Sequence, residues 1–289
     1  MALFIAGCTS SSAGLGENTT VEVLETRGGY ERVFLHEVRD GEVRDILVEV
    51  HYPTTGGLHP TLLIGGYRSN DRPVVIDQVD GWNLTLEGAI VVRIGFPHMN
   101  VATGDIQFRD VGSQADDVHT VLQWLRGRAG TFGETNGNRV WFGISMGGVT
   151  GLVSAMRPDA TERYDALVAV GAFLPQKEQG FVTPEWELDQ APETLLIASM
   201  TDETVPYALS RDTYERLSAA GREVSMLTRQ DADHAKIDDC AALSWAVRSW
   251  IEAKLGVGGD EQLSAGSCAT PGPQPGGTSG LGLGALATG

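Results

Sequence analysis

Short apolar runs alternate with longer segments of helical periodicity through most of the chain. The apolar runs cover residues 60–64, 89–94, 139–142, 165–170, 194–200 and 223–228, and each predicts a buried strand. Residues 108–126 and 207–220 repeat apolar positions at helical spacing between them. This alternation predicts an α/β fold with a mostly parallel central sheet and helices on both faces.

The two ends of the chain have other patterns. Residues 30–38 and 44–52 alternate apolar and polar positions around the polar segment 39–43, which predicts an N-terminal antiparallel hairpin. From residue 257 onward Gly, Ser, Thr and Pro dominate, and such a segment buries too little apolar surface to fold. We therefore predict one domain over residues 21–256, a flexible tether over 1–20 and a disordered tail over 257–289.

A G-x-S-x-G pentapeptide, Gly143 to Gly147, lies between the strand at 139–142 and a run of small residues. In a strand-to-helix turn this pattern exposes the serine hydroxyl at the top of the sheet. The flanking glycines let the strand and the helix pass closely. Ser145 is therefore the candidate nucleophile, and a glycine-rich turn that merely opens a helix is the alternative.

A serine nucleophile needs a base that takes its proton and an acid that orients the base. Asp202 follows the strand at 194–200, and His234 follows the strand at 223–228. His234 is the only histidine after Ser145. The order serine, acid, histidine predicts a catalytic triad.

Both partners have alternative interpretations. Asp202 at a helix boundary can simply cap the following helix. His234 can be an exposed loop residue that a neighbouring carboxylate orients, or part of a site for a hard cation. The acidic neighbours concerned are Asp231, Asp233, Asp238 and Asp239. Their spacing is not that of a known ligand set, so we predict no metal.

The oxyanion of the reaction requires two backbone N–H donors. One is predicted at Met146, directly after the nucleophile, and the other at Tyr67, in the loop after the strand at 60–64. Gly65 and Gly66 would let the backbone approach the substrate there. An ordinary glycine turn is the alternative.

These motifs resemble those of the α/β hydrolases of the dienelactone-hydrolase and platelet-activating-factor-acetylhydrolase-like branch, which includes bacterial cutinase-like polyesterases. The resemblance extends from about residue 30 to residue 255. It rests on Gly65-Gly66-Tyr67, Gly143-Ile144-Ser145-Met146-Gly147-Gly148, Asp202 with Val205-Pro206, and Asp233-His234. It implies an α/β-hydrolase fold and carboxylic ester hydrolysis by Ser145, Asp202 and His234 without a cofactor.

Two positions depart from the related subfamilies. Ile64 stands where many lipases and esterases have a histidine, and Ile144 stands where the polyesterases usually have tryptophan or histidine. The substrate class therefore stays open. A polyesterase, a peptidase, a lactone or dienelactone hydrolase, and a binding protein without turnover are the alternatives.

The connector 172–193 is too short for a large cap domain, which predicts an open cleft. Gly66, Tyr67, Phe173, Trp186 and Val205 are the candidate substrate-binding residues. Alternatively, the aromatic residues of the connector pack it onto the body of the domain.

The 289 residues carry a formal net charge of −17, with a pI near 4.6. Such a charge disfavours nucleic acid and anionic membranes as partners. We expect an ester substrate, either small or polymeric, and favour a monomer.

Residues 5–8, Ile-Ala-Gly-Cys, resemble a bacterial lipobox, which predicts a lipid anchor on Cys8 and a secreted or envelope-anchored protein. In an exported protein Cys240 and Cys268 are candidates for a disulfide. In a cytosolic protein both would be free thiols.

Overall fold

The computed structural model describes residue 15, residues 17–67, 82–97, 110–160, 162–176, 181, 186–259, 261 and 263–272, with the backbone alone for residue 67 and residues 134–137. Cys8 and the rest of the lipobox lie outside the described residues. The last 17 residues, 273–289, do so as well.

Ten strands of the described residues form one sheet in the order β1-β2-β3-β5-β4-β6-β7-β8-β9-β10. Strands β4 to β9 are parallel to one another, whereas β1, β2 and β3 are antiparallel at one edge and β10 is antiparallel at the other. The strands are β1 (Thr19–Arg27), β2 (Tyr30–Arg39), β3 (Glu42–His51), β4 (His59–Tyr67), β5 (Ile90–Phe96), β6 (Glu134–Ile144), β7 (Ala166–Val170), β8 (Glu193–Ser199), β9 (Val224–Arg229) and β10 (Ala269–Pro271).

Helices cover both faces of the sheet. They are α1 (Val111–Gly127), α2 (Ala129–Phe132), α3 (Met146–Ala155), α4 (Tyr207–Ala219) and α5 (Ala241–Leu255), with 3₁₀ turns at Leu188–Gln190 and His234–Lys236. Helices α1, α3 and α4 contribute to one apolar core, which includes Val118, Leu152 and Leu217. Helix α5 and the segment 82–89 form the core on the other face. Because both faces are covered, the central strands are continuously apolar in sequence.

Buried polar pairs fix α1 between the hairpin and the helix that follows the candidate nucleophile. Asp117 of α1 accepts two hydrogen bonds from Arg44 of β3, at 2.7 and 2.5 Å. Burial raises the pKa of Asp117, and the hydrogen bonds from Arg44 oppose that rise. Thr150 of α3 donates a hydrogen bond to Gln114 of α1. These contacts make α1 a rigid support for α3.

Strand β1 differs from the sequence-based prediction, which placed residues 1–20 in a tether and predicted no strand before residue 30. Of its nine residues Thr19 alone is fully buried. An edge strand with most side chains in solvent carries little hydrophobic periodicity, so the pattern did not reveal it. Pairing with β2, from Thr19–Glu37 to Arg27–Tyr30, is what defines the strand.

The predicted disorder of residues 257–289 is wrong for the described part of that segment, up to residue 272. Strand β10 pairs with β9, and Ala265 and Ala269 are buried. Cys268 forms a disulfide with Cys240, with the two Cα atoms 6.5 Å apart. This segment is held by an edge ladder and by a covalent link to a distant residue, neither of which local composition reveals.

Among the described residues, no helix combines the length and the apolar character that crossing a membrane requires.

Candidate active site

Ser145 occupies a strained turn between β6 and α3. Its φ of 52° and ψ of −120° lie in a region that non-glycine residues rarely adopt, at a cost of about 1–3 kcal/mol. Its backbone N–H donates to the Val170 carbonyl at 2.7 Å, and its carbonyl accepts from the Val149 N–H at 3.0 Å. The side chain is half-buried and makes no capping hydrogen bond to α3. Because the Ser145 side chain takes no part in holding the turn, its hydroxyl remains available for chemistry.

The glycines around Ser145 are required by close backbone contacts. A Cβ on Gly143 would lie 2.3 Å from the Gly147 carbonyl oxygen, and a Cβ on Gly147 would lie 2.1 Å from the Gly65 carbonyl oxygen. Trp141 donates a hydrogen bond to the Gly147 carbonyl at 3.1 Å. The first turn of α3 therefore packs directly against the end of β4, which carries the glycines of the predicted oxyanion loop.

The two candidate oxyanion donors lie on these two elements. Met146 is the first residue of α3, where backbone N–H groups lack partners within the helix, and Tyr67 is the last residue of β4. The β4–β6 ladder ends at the pair Gly65–Gly143, whereas the β4–β5 ladder continues to Tyr67–Phe96. Assignment of the two amides as the oxyanion hole stays a prediction.

Asp202 and His234 are in direct contact. Asp202 Oδ2 lies 2.7 Å from His234 Nδ1, and Oδ1 accepts hydrogen bonds from the backbone N–H groups of Thr204 and Val205, each at 2.8 Å. The Asp202 side chain is 1% exposed. Two backbone amides thus orient the carboxylate, so that its second oxygen faces the imidazole. The helix that follows has Pro206, not Asp202, at its N-cap.

The acidic neighbours of His234 have other partners. Asp231 lies 3.5 Å from Arg229, and Asp233 lies 3.1 Å from Lys236. Neither replaces Asp202 at the Nδ1 atom of His234. In the part of the chain that the structure describes, no group of three or more His, Cys, Asp or Glu residues is arranged to hold a metal ion.

The end of β7 brings Ser145 and the imidazole of His234 to one place. The Ser145 N–H bonds to Val170, the last residue of β7. The next residue, Gly171, has a φ of +53°, and a Cβ on it would lie 3.0 Å from His234 Cε1. Ser145 and His234 therefore lie beside adjacent residues, Val170 and Gly171, and Asp202 contacts the imidazole at Nδ1. Gly171 was not among the residues predicted for the site, although a glycine directly after a buried strand is a usable signal.

The candidate substrate-binding side chains have different environments. Phe173 and Val205 are buried in the same apolar core as Met146. The ring of Trp186 lies under the Arg216 guanidinium, 5.0 Å from its centroid, on the outside of α4. Phe173 makes an edge contact with Phe181, with centroids 5.7 Å apart. The contacts of Phe173 and Trp186 are those expected if these aromatic residues pack the connector 172–193 onto the body of the domain.

Similarity of this chain to known proteins is found among solved structures. No protein-family model and no curated protein sequence matches the chain. Among solved structures, the chain is similar to a thermophilic esterase, Est2 of Thermogutta terrifontis, with propionate bound, at a TM-score of 0.59 and 13% identity, covering 85% of this chain and 97% of that one. It is also similar to MGS-M1, an α/β hydrolase from a Medee basin deep-sea metagenome library, at a TM-score of 0.53 and 16% identity, covering 83% and 100%.

A third solved structure is similar over part of its length. The acylaminoacyl peptidase of Pyrococcus horikoshii gives a TM-score of 0.57 and 13% identity, covering 86% of this chain and 50% of that one. At such identities the likeness concerns the fold alone. The predicted mostly parallel sheet with helices on both faces is confirmed, and the chain has the α/β-hydrolase fold.

Proposed function

We propose that this protein is a serine hydrolase that cleaves carboxylic esters through an acyl-enzyme intermediate. The observation that carries the proposal is the 2.7 Å contact between Asp202 and His234. It lies beside the end of β7, to which the backbone of Ser145 is hydrogen-bonded. A carboxylate at Nδ1 leaves Nε2 of the imidazole free to act as the base. The strained turn of Ser145 supplies the matching nucleophile.

The proposed reaction uses only groups of this chain and water. His234 takes the proton of the Ser145 hydroxyl as its oxygen attacks the ester carbonyl, and Asp202 stabilises the imidazolium that forms. The amides of Tyr67 and Met146 bind the oxyanion. His234 then protonates the leaving alcohol, and water activated by the same imidazole releases the acid.

Ester substrates are favoured over peptides by the extent of the structural similarity. The Thermogutta esterase matches over 97% of its own length, whereas the Pyrococcus peptidase matches over 50% of its own. Polyesters and lactones are narrower substrate classes within the same proposal. The Gly66-Tyr67 and Ser145-to-Gly148 motifs, shared with cutinase-like polyesterases, support the polyester, whereas Ile144 departs from that pattern.

We also propose that the protein acts outside the cytoplasm. The Cys240–Cys268 disulfide supports this location, because disulfides persist in oxidising compartments. The net charge of −17 is compatible with a neutral or cationic ester rather than an anionic polymer.

A fluorophosphonate probe and a panel of p-nitrophenyl esters test the proposal. We expect stoichiometric labelling of Ser145 and hydrolysis that is insensitive to a metal chelator. A peptide p-nitroanilide and a soluble polyester, assayed in parallel, separate the alternative substrate classes. Absence of both labelling and turnover would contradict the proposal and favour a binding protein.

The contact between Gly171 and His234 yields a further prediction. In Gly171→Ala the new methyl group would lie 3.0 Å from the imidazole, so the ring must move by a few tenths of an ångström. Because misplacing a catalytic group by 1 Å costs about 100-fold, we expect kcat for p-nitrophenyl acetate to fall about 10-fold.

Gly221→Ala is the matched control for this prediction. Gly221 also has a positive φ, +72°, but a Cβ there meets nothing within 4 Å. Both variants carry a backbone penalty of about 1–2 kcal/mol, which thermal unfolding measures. Equal kcat values in the two variants would show that the contact with the imidazole is unimportant.

A further inference from the structure

Arg229 is a buried cation that the proposed reaction does not use. It is the last residue of β9, only 7% exposed, and leads directly into the loop that carries His234. Burying a guanidinium is unfavourable unless its N–H groups are satisfied. The Nε atom of Arg229 is buried without a hydrogen-bond partner among the described residues, so the contacts of its two Nη atoms show what the side chain holds.

The guanidinium spans the His234 loop. Nη1 donates to the carbonyl oxygen of Ile237 at 3.1 Å and approaches that of Lys236 at 3.4 Å. Nη2 lies 3.5 Å from a carboxylate oxygen of Asp231. Arg229 thus connects the end of β9 to the residues at the end of the 3₁₀ turn His234–Lys236, and His234 lies between these two points in the sequence.

Backbone carbonyls, rather than a strong ion pair, are the closest partners of Arg229. The Asp231 side chain is 82% exposed, so its attraction at 3.5 Å is screened by water. Burial raises the pKa of Asp238, and the positive charge of Arg229 opposes that rise. The half-buried Arg44, by contrast, makes a two-pronged pair with the buried Asp117 at 2.5 and 2.7 Å.

The other side of the loop is anchored independently. The hydroxyls of Ser199 and Thr201 both donate to the Ala232 carbonyl, the latter at 3.0 Å. These hydroxyls belong to the segment that carries Asp202, so they fix the start of the His234 loop relative to the acid. The residues after the imidazole, 236 and 237, are held instead by Arg229.

We propose that Arg229 is a positioning residue, whose guanidinium holds the carbonyls of Lys236 and Ile237 and thereby fixes the imidazole of His234 between Asp202 and Ser145. This inference rests on the proposed function. Arg229 touches no reacting atom and acts through the loop backbone. Without it the 3₁₀ turn is expected to sample positions in which the base no longer faces the serine.

Arg229→Met and Arg229→Lys test the inference in the full-length protein. Methionine keeps the apolar bulk and removes the donors, so kcat for p-nitrophenyl acetate should fall about 10- to 100-fold, with KM within about twofold of wild type. Lysine, with a single donor centre, should give an intermediate kcat. The matched control is Arg211→Met, which removes an exposed arginine paired with Glu215 on α4; its kcat should equal that of wild type.

A second measurement follows the imidazole without relying on turnover. The His234 Nδ1–H bonded to Asp202 should give a downfield proton resonance in wild type. Faster hydrogen exchange or loss of this resonance in Arg229→Met supports the inference. An unchanged resonance together with kcat within twofold of wild type overturns it. If Arg229→Met shows no unfolding transition, it is not folded, and Arg229→Lys becomes the test. A kcat and a resonance equal to those of wild type in Arg229→Lys would then overturn the inference.

Failure of the proposed function gives a different result. Wild-type protein would then neither label with the fluorophosphonate nor hydrolyse esters, whereas the resonance would still report whether Arg229 holds the imidazole. If the wild type labels and hydrolyses esters, and Arg229→Met is equally active, then the role of Arg229 is contradicted and the proposed function stands.

Discussion

Ser145→Ala should lower kcat for p-nitrophenyl acetate by about 10⁶-fold, the loss typical of removing the nucleophile of a serine triad. The fold should be unaffected, because the Ser145 side chain makes no capping hydrogen bond and its backbone keeps the contacts to Val170 and Val149. Initial rates measure the loss, and thermal unfolding followed by circular dichroism checks the fold.

Ser145→Gly sharpens the same experiment. Glycine adopts a positive φ without the penalty that serine and alanine pay at 52°, so this variant should be more stable than wild type by about 1–3 kcal/mol. It should be as inactive as the alanine variant. A more stable and inactive protein would show that the strain is maintained for the position of the hydroxyl. Retention of a tenth of wild-type kcat in either variant would assign the chemistry to another residue.

Asp202→Asn should have the second-largest effect, a fall in kcat of about 10⁴-fold. The backbone N–H groups of Thr204 and Val205 both donate to Oδ1, so the carboxamide oxygen of asparagine should stay there. Its NH₂ group would then face Nδ1 of His234, which must accept instead of donate. The proton moves to Nε2, and that nitrogen can no longer take the proton of Ser145.

Matched controls for this prediction lie in the His234 loop itself. Asp231→Asn and Asp233→Asn each remove one negative charge near the imidazole, but these side chains contact Arg229 and Lys236. We expect their kcat values to remain within about twofold of wild type, as is usual for exposed ion pairs. If Asp233→Asn were as inactive as Asp202→Asn, the acid of the site would be reassigned.

Much of the fold could be predicted from local pattern. Apolar runs gave strands β4 to β9 to within a few residues at most ends, because strands covered on both faces leave a continuous hydrophobic signal. Helix α1 was predicted at 108–126 and is observed at Val111–Gly127. Its N-cap residue is Asp110, whose side chain accepts a hydrogen bond from the Ser113 N–H. Pattern did not reveal β1 or β10, whose order depends on edge pairing.

The candidate site, too, could be predicted from the sequence only in part. The pentapeptide around Ser145 predicted a strand-to-helix turn because its glycines meet a local steric requirement. The order of the chain then indicated His234 as the base and Asp202 as the first candidate for the acid. The sequence left several carboxylates as possible partners of His234, and the folded chain brings Asp202 to Nδ1. The aromatic residues of the connector were ambiguous for the same reason, since burial depends on elements distant in sequence.

By itself, the sequence determined the order of most strands and helices, the turn that presents Ser145, and the small set of side chains able to assist it. These follow from short-range sterics and hydrophobic periodicity. The tertiary structure alone decided that Gly171 abuts the imidazole, that Arg229 holds the carbonyls behind it, and that Cys268 joins Cys240. The Gly171 and Cys268 contacts join residues tens of positions apart, and they exist only once the chain has folded into one sheet. The Arg229 contact spans a single loop, but which carbonyls it meets depends on how the folded loop turns back on the end of β9.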